Sequence, residues 1–126
     1  MSRVGAERGS VSLVLAAGLG VALVMTMGVA DVATVLAARS SARTAADAAA
    51  LAAAQELAFS TGGDPATLAG TYASDNGATL TSCDCAPGGL EAIVEVTAPV
   101  GGLLLFPDDH TVVARARAVV DPPTAA

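Results

Sequence analysis

Hydrophobic positions in this chain follow a continuous pattern first and an alternating pattern later. The continuous pattern runs from Gly9 to Ala30, where 22 residues include no charged side chain. Arg3 and Arg8 precede this run, and Asp31 follows it. At about 1.5 Å per residue, a helix of this length reaches roughly 33 Å, which is enough to cross the hydrocarbon core of a bilayer. The pattern therefore predicts a transmembrane helix over residues 9–30.

Helix-forming residues continue well beyond this predicted span. Ala dominates the segment from Asp31 to Phe59, which contains neither Pro nor Gly. The next Gly is Gly62. Because Ala is the strongest helix former, we expect one continuous helix from Gly9 to Phe59. Its first half would lie in lipid, and its second half would project outward.

Small side chains recur on this helix at spacings that allow close helix packing. The candidate packing positions are Ala16, Gly18, Gly20, Ala22, Ala46 and Ala50. Two interpretations stay open. The helix is built to bundle with similar helices, or the small residues are simply tolerated in any anchor.

Asp31, at the outer end of the span, also has two interpretations. The favoured one makes it the first polar residue at the membrane edge, in contact with headgroups and water. The other pairs it with a cation of a neighbouring subunit, such as a free amino terminus or Arg39.

A short second helix is predicted after the long one. Asp64 is a suitable N-cap, and Pro65 suits the first helical position. Asn76-Gly77 is a typical helix terminator.

After this helix, the period of the apolar positions along the chain changes from 3.6 residues to two. Leu90–Ala98 and Thr111–Val120 alternate apolar and polar residues, as half-buried strands do. Ala78–Cys83 is a weaker third strand. The charges on the polar faces are Glu91 and Glu95 on one strand and Arg115 and Arg117 on the other. Their opposite signs predict ion pairs if the strands are antiparallel. The fold class is thus α+β, with a long helix, a short helix and a small antiparallel sheet of two to three strands.

Charge is distributed unevenly about the span. The net charge of −6 divides into +1 before residue 9 and −7 after residue 30. The positive-inside rule then places the first segment in the cytoplasm and the acidic body outside, as a single-pass membrane protein. The predicted divisions are a cytoplasmic leader (1–8), the span (9–30), an exported Ala-rich helix (31–59) and an extracytoplasmic α+β domain (60–126). An acidic body without Lys argues against nucleic acid as a partner.

In an alternative interpretation, the apolar segment is a signal peptide that is cleaved off. Small residues near Ala38–Ala42 offer cleavage sites, and cleavage there would release a small secreted binding module. The apolar run is longer than the 7–15 residues typical of cleaved signals, so the retained anchor is favoured.

Candidate chemistry is sparse. His110 is the only histidine and follows Asp108 and Asp109, but no further ligands stand at a recognisable metal-site spacing. No nucleophile elbow or phosphate-binding loop occurs. We therefore expect no enzyme activity, catalytic residue, metal, cofactor or small-molecule substrate.

Two other features leave alternatives open. Cys83 and Cys85 favour a local or intersubunit disulfide over free thiols, although a local one requires the strand to turn, because alternate strand residues lie near the upper limit for a disulfide. Val100–Phe106 is apolar but too short to cross a membrane. It either folds onto the thin core or forms an exposed tip that contacts lipid or a partner.

Several of these motifs resemble TadE/TadG-like pilus-assembly proteins, especially a small actinobacterial group. The similar features are Arg8-Gly9-Ser10, Asp31, RTAADAAALAAA (43–54), NGATLTSC (76–83) and ARARA (114–118). The resemblance implies a pilin-like, membrane-anchored component of a Tad pilus or type II secretion-like apparatus. Its partners would be lipid and other subunits of that apparatus.

The resemblance also bears on processing and on the disulfide. Gly9 and Ser10 form the candidate processing site. Processed prepilins usually have Glu five residues after the cleaved Gly, whereas Val14 stands there, so we expect an uncut chain. Members of the group often carry a cysteine early in the short helix, where this chain has Ala66. Cys85 is then the candidate partner of Cys83.

Overall fold

The computed structural model describes residues 2–121, with side chains described from residue 8 onward. The elements in chain order are α1 (Ser2–Phe59), α2 (Pro65–Asp75), β1 (Thr79–Asp84), β2 (Glu91–Pro99) and β3 (Thr111–Val119). This confirms the predicted α+β layout of a long helix, a short helix and a small antiparallel sheet.

The first helix is one unbroken element of 58 residues, or about 87 Å at the standard rise. It begins at Ser2, earlier than the predicted Gly9, and it ends at the predicted Phe59. Ser60 has φ +42° and Gly62 has φ +94°. These left-handed conformations stop the helix, as they commonly do at helix C-termini.

The second helix begins and ends where the sequence predicts. The Asp64 side chain accepts a hydrogen bond from the Thr67 N–H at 3.1 Å, and Pro65 takes the first helical position. Asn76 is the C-cap, and Gly77 follows it with φ +77°.

The sheet is antiparallel with the order β1-β2-β3. Glu95 lies directly opposite Arg115, and Arg117 lies diagonally across from Glu91. Both predicted ion pairs, Glu95–Arg115 and Glu91–Arg117, are present on the outer face of the sheet. The register of β1 against β2 shifts between Leu80 and Ser82.

The core lies between the inner face of the sheet and the two helices. From α1 it takes Ala42, Ala45, Ala46, Ala49, Ala50 and Ala53, and from the sheet Ala92, Val94, Val96, Ala98 and Ala116. Among the fully buried side chains of residues 8–121, only Val94 and Val96 are large. Because the Ala side chain is a single methyl group, the backbones of α1, α2 and the sheet approach one another closely.

Ala46 and Ala50 do not face other subunits, contrary to the expectation that they pack against similar helices. Ala46 is 0% exposed and Ala50 is 1% exposed. They belong to the core that α1 forms with α2 and the sheet of the same chain. Since this domain already covers them, a helix of a second subunit cannot reach them.

Candidate membrane and assembly interface

The inner half of α1 stands free of the rest of the described chain. Every residue from Arg8 to Thr26 is exposed, and large aliphatic side chains such as Leu19 are 68% exposed. Within residues 2–121, α1 is the one helix long and apolar enough to cross a membrane by length and composition. An apolar surface of this extent is rare on a water-soluble monomer and indicates an apolar environment or a partner.

The four small residues of this inner half are all exposed. Ala16, Gly18, Gly20 and Ala22 lie on the uncovered part of α1. A Cβ atom placed on Gly18 or Gly20 would meet no atom within 4 Å. These four positions therefore stay open to another helix, which distinguishes them from Ala46.

Asp31 contacts neither a cation nor open solvent. It is only 6% exposed, and its carboxylate binds the loop between β2 and β3. Oδ1 accepts the Leu104 N–H at 2.6 Å, and Oδ2 accepts the Leu105 N–H at 2.8 Å. Hydrogen bonds to a charged group are worth about 1.5–3 kcal/mol each. The favoured expectation of a water- and headgroup-facing Asp31 is thus corrected to an internal clamp on the loop.

The loop held by Asp31 lies against α1 rather than against the Ala-rich core. A Cβ on Gly28 would stand 3.8 Å from Leu105 Cδ1, and one on Gly101 would stand 3.6 Å from Thr34 Cγ2. We call residues 103–106 the loop tip. Its Leu104 is 59% exposed and its Phe106 is 62% exposed. The loop is therefore docked on α1 and not on the core, contrary to the first alternative. Its tip is exposed, as the second alternative predicts, and contact of the tip with lipid or a partner stays a prediction.

Glu56, near the outer end of α1, is a second buried carboxylate. It accepts hydrogen bonds from Thr61 Oγ1 at 2.5 Å and from the Gly63 N–H at 2.9 Å. The Thr61 hydroxyl and, to a smaller extent, the backbone N–H groups lower the pKa of Glu56 below its ordinary value of 4.5, against an opposing effect of burial. This side chain holds the turn between α1 and α2.

Sequence reasoning missed the role of Glu56. The available signal was a carboxylate one turn before the Ser60–Gly63 stop, where backbone N–H groups that have left the helix need acceptors. The partner of Asp31 had no comparable local signal, because the loop that it binds lies 73 residues further along the chain.

The two cysteines are joined to each other as a local disulfide. Cys83 is half-buried in β1, and Cys85 is buried just beyond the end of that strand. Their Cα atoms are 5.5 Å apart, closer than alternate residues of an extended strand. The chain leaves the strand at Asp84, which brings the two residues within reach of each other.

The remaining predicted positions are exposed. Gly9 and Ser10 lie in the exposed part of α1, and Asp108, Asp109 and His110 lie in the exposed end of the β2–β3 loop. Among the residues that the structure describes, no three His, Cys, Asp or Glu side chains are grouped so as to hold a metal ion.

Comparison with known families adds to this geometry. Residues 9–56 match the Tad family model, described as "Putative Flp pilus-assembly TadE/G-like". Over residues 9–56, which lie in its long helix, the chain is similar to the TadE/G-like family. The TadE/G-like match spans the uncovered half of α1, Asp31 and the packed half up to Glu56, and it stops before α2. Searches of curated proteins and of solved structures gave no match.

The TadE/G-like match supports a role as a component of pilus assembly. The family is one of structural and assembly proteins rather than enzymes. The helix that carries the match is also the helix with the length and composition of a membrane span.

Proposed function

We propose that this TadE/G-like chain is a membrane-anchored, pilin-like structural subunit of a Tad pilus or a related secretion apparatus. One observation carries the proposal: a single helix is uncovered and apolar in its inner half and packed under a small domain in its outer half. A lipid bilayer supplies the apolar surroundings that the described chain does not give to the inner half.

The energetics favour retention of the inner half in lipid. Removing apolar surface from water is worth about 25 cal/mol per Å², and residues 9–30 expose a long series of Leu, Val and Met side chains. A charged residue at the centre of this segment would cost about 2.5–3.5 kcal/mol on insertion scales. The segment contains none.

The proposed orientation follows from charge. Arg3 and Arg8 flank the inner end of the span, and the acidic domain follows its outer end. The leader, residues 1–8, would then lie in the cytoplasm, and residues 31–126 would lie on the extracytoplasmic side.

Contacts between subunits are proposed for the membrane half alone. The exposed Ala16, Gly18, Gly20 and Ala22 allow the helix of another pilin-like subunit to approach closely. Ala50 lies under the domain and does not take part. Lipid and other Tad or secretion subunits are thus the expected partners, and no small-molecule substrate or nucleic acid is expected.

Oxidative cysteine crosslinking in native membranes tests this assignment. We expect Ala16→Cys or Ala22→Cys to give dimers or mixed complexes with other subunits, because both positions are exposed on the span. The matched control, Ala50→Cys, has the same side chain but is covered by the domain, and it should give none. Crosslinks at Ala50 without any in the span would contradict the proposal.

Mass spectrometry of the membrane-extracted chain tests retention of the anchor. An uncut chain, or one cut only at Gly9–Ser10, keeps the span. A mature start near Ala38–Ala42 would instead support the alternative, a secreted binding module. Such a cut would also remove Asp31 and with it the clamp on the β2–β3 loop.

A further inference from the structure

We propose that the tip of the β2–β3 loop, residues 103–106, is a second membrane contact that inserts into the outer interface of the bilayer beside the span. This inference rests on the proposed membrane anchoring of α1 and adds a lipid-binding surface to it. The tip would fix the tilt and the height of the small domain above the membrane.

The position of the tip along α1 is the first argument. Exposure along the helix first falls at Met27 and Gly28, and Gly28 is the residue beside Leu105. Gly28 lies inside the uncharged run that ends at Ala30. A loop docked at this level cannot stay clear of the bilayer if residues 9–30 span it, because the tip is level with the last turn of the span.

The surface chemistry of the tip is the second argument. Residues 103–106 are Leu-Leu-Leu-Phe, and Leu104 and Phe106 are both largely exposed. An open groove of about 410 Å³ lies between tip and helix, and its walls are apolar apart from Asp31 and Arg39 of the helix. Val32 of α1 is also exposed and lines the same groove as Leu105 and Phe106, so the apolar surface of the tip adjoins that of α1. Leu and Phe side chains of this kind enter the boundary between headgroups and acyl chains.

The Asp31 clamp is the third argument. Irregular backbone in an apolar medium carries N–H groups that cannot bond to water, and each such group costs several kcal/mol. Leu104 and Leu105 are consecutive residues of the tip outside any strand, and Asp31 accepts both of their N–H groups. Two of the four backbone N–H groups of the tip, those of Leu104 and Leu105, are therefore satisfied internally at the point where lipid would remove water.

Charge indicates which kind of membrane contact this is. Asp108 and Asp109 follow the tip after Pro107, and the tip itself carries no cation. Anionic headgroups would repel these carboxylates, so the contact is apolar insertion rather than electrostatic adsorption. A second copy of the chain is the competing occupant. The continuity of the tip with the span favours lipid.

Depth-dependent fluorescence quenching tests the proposal on the full chain reconstituted in phosphatidylcholine vesicles. An environment-sensitive dye is attached at Phe106→Cys, and the lipids carry a nitroxide either near the headgroup or deep in the acyl chain. Cys83 and Cys85 are joined in a disulfide and do not compete for the dye. The parent chain, treated with the same dye, verifies this. We expect severalfold quenching of the dye, stronger with the shallow nitroxide than with the deep one.

Two control positions separate this inference from the proposed anchoring. Leu19→Cys lies in the middle of the span and should be quenched more by the deep nitroxide. Phe59 is also an exposed Phe, at 78% against 62% for Phe106, but it lies at the far end of α1, and the dye at Phe59→Cys should not be quenched. Quenching at Leu19 without quenching at Phe106 overturns the loop contact and leaves the anchor intact. Absence of quenching at Leu19 overturns both.

A dye at Phe106 that is shielded from water yet unquenched by either lipid would also overturn the proposal. That result assigns the tip to a protein contact, such as a second copy. Replacement of part of the phosphatidylcholine by an anionic phospholipid should leave the quenching at Phe106 within twofold or lower it, since the contact is apolar. A severalfold rise would contradict apolar insertion.

Discussion

The two halves of α1 are built from similar residues and lie in opposite surroundings. Residues 9–30 expose their Leu, Val and Met side chains, whereas the outer half buries a run of Ala under α2 and the sheet. The apolar side chains of the two halves differ in size, and the outer half also carries the charged residues that residues 9–30 lack. Large aliphatic residues stand where the rest of the described chain leaves the helix uncovered, and methyl groups stand where the backbones of a small domain must come close.

A buried carboxylate stands near each end of the packed half. Asp31 at its inner end and Glu56 at its outer end each accept backbone N–H groups from a segment that is not in a helix or strand. Among the residues that the structure describes, no buried side-chain oxygen or nitrogen lacks a partner. The two acids thus attach the loops of the small domain to an otherwise apolar helix.

The largest effect is expected from a large side chain in the packed half. Ala46→Leu adds three carbons at a position with 0% exposure, and overpacking of this kind costs about 1–3 kcal/mol. Denaturant unfolding of the detergent-solubilised chain, followed at the sheet, measures the loss. Ala37→Leu, exposed on the same helix, is the matched control and should change little. Equal stability of the two variants would break the comparison between covered and uncovered faces.

The next effect concerns the inner clamp. Asp31→Ala leaves two loop N–H groups without their acceptor, which should cost about 1–3 kcal/mol and free the tip from α1. Asp31→Asn keeps one acceptor oxygen and should have an intermediate effect. Hydrogen exchange at Leu104 and Leu105 measures the release.

Asp47→Ala is the control for that clamp. Asp47 lies on the same helix in an exposed pair with Arg43 at 3.5 Å, and such pairs are worth about 0.3–0.5 kcal/mol. Faster exchange at the tip in Asp47→Ala, equal to that in Asp31→Ala, would show that the clamp is not specific.

A smaller effect is expected when a small residue of the span, rather than Ala46 of the packed half, is replaced by Leu. A Cβ on Gly20 meets no atom within 4 Å beyond the neighbouring backbone of its own helix, so the domain of Gly20→Leu should unfold as the parent does. Association between helices in the membrane should weaken by about 1 kcal/mol, as close packing is lost. Energy transfer between labelled copies in vesicles measures this. A loss of domain stability in Gly20→Leu without a change in association would contradict the assignment of the inner half to subunit contacts and of the outer half to the domain core.

Local patterns sufficed for the elements of this fold and failed for its long-range contacts. The caps at Asp64 and Asn76 and the alternation in β2 and β3 depend on neighbours in sequence, and the structure has them. Ala46 was assigned to the wrong partner because Ala occurs on all sides of the outer helix, so no apolar stripe marks the face under the sheet. The contact of Asp31 cannot be predicted from local sequence, because its acceptor role depends on a loop that is distant in sequence and carries no Arg or Lys to suggest the pairing.

The smallest effect is the pH dependence of the outer clamp. The folded chain holds the pKa of Glu56 below 4.5, chiefly through the Thr61 hydroxyl, while the unfolded chain has the ordinary value. The ionised carboxylate therefore stabilises the fold fully above pH 4.5, and this contribution falls as the pH drops through the lowered pKa. Glu56→Gln should be less stable than the parent at neutral pH, and the gap should narrow in acid. Thr61→Val should also be less stable than the parent at neutral pH, by a difference that narrows in acid, because it removes the main hydrogen-bond donor to Glu56. Thr44→Val, which removes a hydroxyl bonded only to the Ser40 carbonyl, should not change the pH dependence. Unfolding curves collected from neutral pH to below pH 4.5 give the free energy of unfolding of all four chains. If the difference in stability between Glu56→Gln and the parent does not change with pH, the hydrogen bonds of Glu56 do not hold its carboxylate in the ionised form.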